Sequence, residues 1–238
     1  NKVEDGYEWS GNSSKSNKGV LNDWFYNHFL KSTETYVSHK ASKEITSLAA
    51  PEYVKSMLKF FNEEDMRKSL FIAREFHPAL DSLNNKNLIE NNCKLLASMD
   101  TGIAQMFKDK KDLELQDIYN LFCRNVESFK TVTEIMSPYI KDRGEVIYNN
   151  KDIARDPTKF IPELIKLKQE IDYLVDRSFS NNIVFQDCKN KAFSHFMSKE
   201  HYSKQLANYC DYEFKVGLKG ANDTQTDEKI SNIINLFK

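Results

Sequence analysis

The chain has 238 residues, and its 34 Lys and Arg residues nearly balance 35 Asp and Glu residues, for a formal net charge of −1. This balance gives no bulk electrostatic reason to expect nucleic acid or an anionic membrane as a partner. Hydrophobic residues make up 40% of the chain, while glycine and proline number only seven and five. The composition therefore favours an all-α protein with enough apolar surface for a core.

The cysteines and the lengths of the apolar runs indicate where in the cell the protein is located. The four cysteines lie far apart, on or next to apolar helix faces, at positions 93, 123, 188 and 210. Buried free thiols are the simplest interpretation, and they predict an intracellular location in the cytoplasm and/or nucleus. No apolar run approaches the ~20 residues of a membrane-spanning helix. Because the sequence opens without an initiator methionine, we also expect a longer parent protein.

The first part of the chain predicts a polar segment followed by two helices. Residues 1–20 are predicted to be a flexible polar segment, because Gly11 to Gly19 contains little but small polar residues and lysine. A helix is predicted from Leu21 to Ile45, and Pro51 suits the first turn of the next helix. Apolar stripes on these two helices comprise Trp24, Phe25, Phe29, Leu30 and Val37, and then Val54, Met57, Leu58, Phe61 and Met66.

The middle of the chain predicts three more helices after a break at His77-Pro78. One runs from Asn87 to Phe107 and includes Gly102, which weakens it by ~1 kcal/mol relative to alanine. A short helix covers Leu113 to Phe122, and another runs from Phe129 to near Gly144. The side chains predicted to face inward in the first of these are Leu88, Cys93, Leu95, Leu96, Met99, Ile103, Met106 and Phe107.

The last third, from Asp156 onward, predicts four amphipathic segments. Asp156-Pro157 combines a capping carboxylate with a proline suited to a first helical turn. Ser180-Asn181-Asn182 separates the first two segments, and Thr224 with Asp227 is a weak capping-box start for the last one. The apolar residues of the second to fourth segments are Val184, Phe185, Cys188, Ala192, Phe193, Phe196 and Met197; Leu206, Tyr209, Cys210 and Phe214; and Ile230, Ile233, Ile234 and Phe237. About nine antiparallel helices with short joints would stack into a rod or solenoid.

No motif in the sequence indicates catalysis. The five histidines have no partner at metal-ligand spacing, and the chain has no Cys-x-x-Cys, Gly-x-Ser-x-Gly or phosphate-binding loop. His195 is interpreted as a partly buried structural histidine, and the pairs Glu63-Glu64 and Asp227-Glu228 as solvated helix faces. Hydroxyls at the edge of the core, in contact with water, are predicted for Tyr36, Tyr139, Tyr148 and Tyr202. We therefore predict no catalytic, cofactor-binding or metal-binding residue and no cofactor.

The order of several motifs resembles a known family. Pro157-(x)-(x)-Phe160, Ser178-Phe179-(x)-Asn181-Asn182-(x)-(x)-Phe185 and Leu206-Ala207-(x)-Tyr209-Cys210-Asp211 follow one another as in the third helical repeat of the cullins. Asp112-Leu113 through Arg124, and Phe29-Leu30-(x)-(x)-Thr33-Glu34-(x)-Tyr36 with Pro51-Glu52-Tyr53-Val54, extend the resemblance back to Leu21. The resemblance implies that residues 21–80 form the C-terminal part of a second cullin repeat and residues 81–238 the third.

The resemblance to cullins implies an elongated helical stalk with a scaffold function. Such a stalk holds a substrate receptor at one end and a RING subunit at the other within an E3 ubiquitin ligase. The adaptor or receptor would bind a first repeat preceding Asn1, and the RING subunit a domain following Lys238. The alternative is a helical-rod adaptor or tethering subunit of a complex unrelated to ubiquitin, because stacked helices serve many functions. A helical enzyme is a third alternative.

Overall fold

The structure is a computed structural model that describes residues 14–217, 219 and 222–235. Within these ranges the regular elements are all helical, so the all-α prediction is confirmed. Short 3₁₀ turns join several helices, and a π-helical turn, Glu213–Gly217, follows the eleventh. The α-helices are α1 Ser14–Ser47, α2 Ala50–Phe71, α3 His77–Leu88, α4 Cys93–Ser98, α5 Ile103–Lys108, α6 Asp112–Phe122, α7 Phe129–Asn149, α8 Lys151–Ala154, α9 Pro157–Phe179, α10 Ile183–Met197, α11 Glu200–Tyr212 and α12 Asp223–Asn235.

The first two helices correct the predicted start of the fold. Helix α1 begins at Ser14, seven residues before the predicted start at Leu21. Residues 1–13 lie outside the described residues, and the flexibility predicted for residues 1–20 stays a prediction. Pro51 lies in the first turn of α2, as predicted. The N–H of Ala50 donates to Thr101 Oγ1 at 3.0 Å. A side chain from the α4–α5 turn therefore satisfies one of the free donors at the start of α2.

The single helix predicted from Asn87 to Phe107 is wrong. This stretch contains the end of α3, a 3₁₀ turn, α4, a bend and α5. Gly102 is the residue that precedes α5 rather than an interior helix residue. A Cβ added there would overlap the backbone carbonyl of Leu96 and crowd that of Met99. The glycine is therefore required by the close approach of two backbone segments.

Helix α7 is longer than predicted, because it passes Gly144 and continues to Asn149. Gly144 lies against the ring of Phe196 on α10, which occupies the space where any larger side chain would carry its Cβ. The missing side chain thus brings α7 and α10 close together. Asn150 then ends α7 and caps α8, since its side-chain oxygen accepts the N–H groups of Asp152 and Ile153.

The capping signals of the last third are confirmed at two of three positions. Asp156 accepts the N–H of Thr158 at 3.0 Å and starts α9. Ser180 takes a left-handed conformation at the end of α9, and Asn182 caps α10 by accepting the N–H of Val184. The last helix, however, begins at Asp223 rather than at Thr224. There, Asn222 Oδ1 accepts the N–H of Gln225, and Gln225 Oε1 accepts that of Asn222.

Two clusters of buried apolar side chains form the core. The large cluster joins α1, α2 and α4–α7 to the later part of α9 and to α10, and Phe179 and Phe185 stack within it at 4.2 Å between ring centroids. The small cluster joins α8, the start of α9 and α11 around Phe160. Ile147 and Tyr148 on α7 pack against both clusters. Each helix packs against helices a few elements away in the chain: α1 packs with α3, α2 with α6, and α9 with α11. This is the contact pattern of a helical-repeat solenoid.

Several residues predicted to face inward are exposed instead. The exposed members of the predicted stripes are Trp24, Met66, Leu95, Leu113, Val184, Phe214, Ile230 and Ile234. Helical periodicity correctly identified an apolar side for these helices but not how far a neighbouring helix covers it. Leu113, Val184 and Ile234 lie one residue from a helix end, whereas Trp24 and Met66 lie inside α1 and α2.

Candidate functional surfaces

The histidines bind backbone carbonyls or lie at the surface. A ring nitrogen of His77 lies 2.9 Å from the carbonyl of Ile72, and one of His201 lies 3.0 Å from that of Ala154. His195 is exposed, which corrects the prediction of a partly buried side chain, and its Nε2 lies 3.6 Å from Glu145 Oε1. The first contact joins the start of α3 to the segment after α2, the second joins α11 to α8, and the third joins α10 to α7.

Neither a cluster of metal-ligating side chains nor a membrane-spanning helix is present among the described residues. In residues 14–217, 219 and 222–235, no three His, Cys, Asp or Glu side chains come together in a way that could hold a metal ion. No helix within the same ranges has the length and apolar character needed to cross a bilayer. The four cysteines are free thiols. Cys93 is buried, whereas Cys123 is exposed, so the prediction of buried thiols fails for Cys123.

The acidic pairs and tyrosines singled out in the sequence have structural partners or solvent around them. Arg67 lies 2.6 Å from Glu64 and 3.8 Å from Glu63, as expected for pairs along one helix face. The Tyr148 hydroxyl donates to the carbonyl of Phe196 at 2.9 Å. Tyr202 is buried, so the prediction that its hydroxyl contacts water at the edge of the core is wrong. The hydroxyl oxygen has no hydrogen-bond partner among the described residues.

An ionic network clamps α2 to the end of α6. Arg124, just after α6, donates to Asp65 on α2 at 2.6 Å, and its guanidinium lies 4.4 Å from the ring centroid of Phe61. Lys68 pairs with Asp65 and with Asp81 on α3. Burial alone would raise the pKa of Asp65, but the hydrogen bonds from Arg124 and Lys68 outweigh burial and lower it. The Arg124 position noted in the sequence is therefore a joint between helices.

A groove of about 450 Å³ opens between α5, α7 and α9. Its apolar floor includes Phe107, Tyr139 and Leu174, and we call it the α5–α7–α9 groove. On its rim, Glu170 accepts from Arg143 at 2.7 Å and from Lys110 at 3.1 Å. Burial alone would raise the pKa of Glu170, but these two cations outweigh it and lower the pKa. Sequence analysis missed this groove because its walls come from three helices that are distant in the chain.

A second set of exposed apolar residues lies on α1 and α2. We call it the α1–α2 surface and define it by Trp24, Tyr36, Met66, Leu70 and Phe71. Leu70 and Phe71 are 73% and 78% exposed. Large exposed apolar areas are typical of surfaces that contact another molecule. A groove of about 290 Å³ between α1, α2 and α3 adjoins them.

The family model and the related proteins that match this chain all carry the name cullin. The family model described as "Cullin alpha solenoid domain" matches residues 7–238. The chain is 26% identical over 225 residues to "Cullin-3" of Dictyostelium discoideum, 23% identical over 223 residues to "Cullin-3A" of Arabidopsis thaliana, and 23% identical over 229 residues to "Cullin-3" of Caenorhabditis elegans. These alignments cover 94%, 93% and 92% of this chain.

The same alignments cover much less of the relatives. This chain spans 29% of the Dictyostelium protein and 30% of each of the other two. The likeness therefore concerns one helical portion of much longer proteins, and the elements described above correspond to that portion alone.

Proposed function

The chain belongs to the cullin family, and we propose that it is a rigid stalk segment of the scaffold subunit of a cullin-RING E3 ubiquitin ligase. The observation that carries the proposal is the family match over residues 7–238 of a chain whose helices pack around two adjoining core clusters. The segment itself would be non-catalytic. We further propose a cullin-3-like parent, because the relatives named above carry that name.

The proposed function is geometric. In such a ligase, a substrate held at one end of the scaffold must meet an activated ubiquitin held at the other. Fixing two reactants on one frame raises their effective concentration, provided that the frame does not flex beyond the productive distance. The stacked rings around Phe179 and the Arg124 clamp are features of a stiff spacer. Residues 21–80 would be the end of a second repeat and residues 81–238 a third, a division that falls inside α3.

The α1–α2 surface supports a further part of this proposal. In solenoid proteins each repeat packs against its neighbours, so an end repeat leaves an apolar face uncovered. We propose that chain preceding this segment in the parent packs on Leu70 and Phe71. Replacing both with Asp should then destabilise the parent while leaving this 238-residue chain nearly unchanged, because both side chains are exposed here. Equal loss of stability in the two proteins would contradict this packing.

Partners and location are also proposed at the level of the parent. A RING subunit and an adaptor or substrate receptor would bind parts of the parent outside this segment. A location in the cytoplasm and/or nucleus is supported by four free cysteines, which suit a reducing compartment.

Affinity purification of the tagged parent from its own cells, followed by mass spectrometry, tests the ligase assignment. A RING protein recovered together with an adaptor is the expected result. The matched control is the tagged 238-residue chain, which should recover neither, since both proposed contacts lie elsewhere. Recovery of vesicle-tethering or other subunits without a RING protein would favour the alternative of a helical rod kept for a different complex.

Small-angle X-ray scattering of the 238-residue chain tests the stalk geometry separately. A compact domain of this length would have a radius of gyration of ~18 Å. A clearly larger value is expected for a rod, and a value near the compact one would contradict the spacer function even if a RING protein is recovered.

A further inference from the structure

The α5–α7–α9 groove adjoins a smaller cavity of about 230 Å³, because Arg143, Lys166 and Glu170 line both. The residues of α7 that line the two cavities lie between 139 and 147, and those of α9 between 163 and 174. Residue numbers rise along α7 where they fall along α9, so the two helices run antiparallel with one trough between them. We call it the α7–α9 trough. A rise of 1.5 Å per residue gives it a length of ~12 Å on α7 and ~17 Å on α9.

Apolar side chains lie along the whole trough. Phe107 and Ile171 are almost fully buried in its floor, whereas Tyr173 and Val146, near its two ends, are 54% and 70% exposed. The larger cavity alone, at about 450 Å³, has the size of a ligand-binding cleft. Covering exposed apolar area of this kind is favourable. The α7–α9 trough therefore offers an apolar surface that a partner can bury.

Cations outnumber carboxylates in the larger cavity. Its charged lining residues are Lys110, Arg143 and Lys166 against Asp112 and Glu170. Lys110 and Arg143 both pair with Glu170, so one carboxylate is shared by two cations. Lys166 is exposed and makes no ion pair within the part of the chain that the structure describes. The positive excess lies at this end of the trough, since the smaller cavity adds a carboxylate, Glu163.

These charges and the shape of the trough indicate what it can bind. A guanidinium carries five N–H donors, so the hydrogen bond from Arg143 to Glu170 leaves donors for a second carboxylate. A partner carboxylate between Arg143 and Lys166 would form charge-assisted hydrogen bonds, whereas a partner cation would be repelled. The space between two antiparallel helices suits a third helix, whose side chains three and four residues apart enter the trough.

We propose that the α7–α9 trough binds an acidic amphipathic helix of a partner protein. Apolar side chains of the partner at positions i, i+4 and i+7 cover the floor, and at least one of its carboxylates pairs with Lys166 and Arg143. The trough is thus a docking site on the side of the rod, between its two ends. This inference goes beyond the spacer function and does not depend on it, because it rests on the lining of the trough alone.

A synthetic helix tests the proposal by fluorescence anisotropy with the 238-residue chain. The probe is a fluorescein-labelled, hydrocarbon-stapled peptide of about 12 residues, which spans ~18 Å as a helix. It carries leucine at the three apolar positions and glutamate beside them. We expect saturable binding that weakens as NaCl is added, since the ion pairs are exposed to solvent. The same peptide with lysine in place of each glutamate should bind about tenfold more weakly.

Charge-reversal variants locate the bound peptide. Lys166→Glu should weaken binding of the acidic peptide about fivefold, because it puts a carboxylate where the cation met the partner. Lys204→Glu is the matched control, since Lys204 is exposed on α11 and lines neither cavity. It makes the same change in net charge and should leave the affinity unchanged. Tyr173→Ala, at a half-exposed position, should weaken binding through loss of apolar contact.

Several results would overturn the proposal. They are no saturable binding of the acidic peptide, equal binding of the lysine peptide, or equal affinities in Lys166→Glu and Lys204→Glu. A dimer of the chain that sedimentation detects and Lys166→Glu dissociates would show that a second copy, not a partner helix, occupies the trough. None of these results bears on whether the parent recovers a RING protein, so this proposal and the proposed function can fail separately.

Discussion

The two core clusters differ in how completely they satisfy the groups they bury. In the large cluster, the buried Tyr53 hydroxyl donates to the carbonyl of Leu88 at 2.8 Å. In the small cluster, the hydroxyl of Tyr202 has no partner among the described residues, and Oε1 of Gln205 beside it has none either. Buried polar groups cost stability when they are unpaired. Two such groups lie on α11 and one, Asn84 Oδ1, on α3, so we expect α8 and α11 to open before the part of the rod around α1–α7 and α10.

Replacing one buried phenylalanine in each cluster should show the largest difference in stability between the two clusters. Phe179 and Phe160 are both fully buried, one in each cluster. Phe179→Ala removes a ring that stacks on Phe185, so we expect a loss of about 3–5 kcal/mol in the free energy of unfolding. Phe160→Ala should cost less, because the small cluster can open locally without unfolding the whole rod.

Urea denaturation combined with hydrogen exchange distinguishes the two Phe variants. Phe179→Ala should lower amide protection along most of the rod, and Phe160→Ala chiefly in α8 and α11. Equal loss of protection everywhere in both variants would mean that the two clusters unfold as one unit.

Replacing either glycine by alanine tests the close contacts at Gly102 and Gly144. At Gly102 the added Cβ meets backbone atoms of Leu96 and Met99, whereas at Gly144 it meets the ring of Phe196. A ring can shift more easily than a backbone, so we expect Gly144→Ala to cost about 1–3 kcal/mol and Gly102→Ala at least as much. Thermal unfolding measures both.

The Gly144 substitution also has a local readout. Tyr148, one turn after Gly144, packs against both clusters. Gly144→Ala should therefore weaken amide protection in α11 more than Gly102→Ala does. If Gly102→Ala lowers amide protection in α11 by the same amount, the effect of Gly144→Ala is not transmitted through α7.

A matched pair of tyrosine substitutions compares the contributions to stability of a hydrogen-bonded buried hydroxyl and an unpaired one. Tyr53→Phe leaves the Leu88 carbonyl without its donor and should lower the free energy of unfolding by about 1–2 kcal/mol. Tyr202→Phe removes a hydroxyl that burial disfavours, and stability should stay unchanged or rise by about 1 kcal/mol. Chemical denaturation of both variants is the measurement. A clear loss in Tyr202→Phe would show that its hydroxyl is hydrogen-bonded in solution.

Acid pH should weaken the large-cluster side by a smaller amount. The folded pKa of Asp65 lies below its ordinary value of 3.8, and that of Glu170 below 4.5, for the reasons given above. A carboxyl whose folded pKa is lowered stabilises the fold above its unfolded pKa, and this stabilisation is lost as pH falls through the folded value. Because both side chains are partly solvent-screened, each should contribute less than about 1 kcal/mol.

Urea midpoints at pH 7 and pH 3 test this expectation. The Asp65→Asn variant should show a smaller pH difference than the unsubstituted chain, while Asp227→Asn, at an exposed position, should show the same difference. An unchanged pH difference in Asp65→Asn would rule out the Arg124 clamp as its source.

Local signals in the sequence predicted much of the fold. Asp156 and Asn182 cap helices that begin where predicted, because a cap involves only the next few backbone N–H groups. The stretch from Asn87 to Phe107 was mispredicted because its apolar residues keep helical spacing across two turns. The need for Gly102 arises from a contact with the Leu96 carbonyl that periodicity does not register.

The surfaces were less accessible to prediction than the helices. The α5–α7–α9 groove combines Lys110, Arg143 and Glu170 from three segments, and only packing brings them together. The family resemblance identified the solenoid from the order of motifs such as Ser178-Phe179 and Asn181-Asn182. It gave no indication that Tyr202 is buried or that Phe214 is exposed, because these depend on how far α11 and its neighbours overlap.

The position of Tyr148 between the two clusters has a consequence for the rod as a lever. Its ring lies 4.9 Å from that of Phe160 and 6.0 Å from that of Phe196, between centroids. A bend of about 2° at this pivot would move a point ~50 Å away, roughly the length of α1, by about 2 Å. Reacting groups tolerate misplacement of only about 1 Å without large losses in rate. For the spacer function proposed above, the angular freedom around this one aromatic side chain would limit how accurately the far end of the rod is positioned.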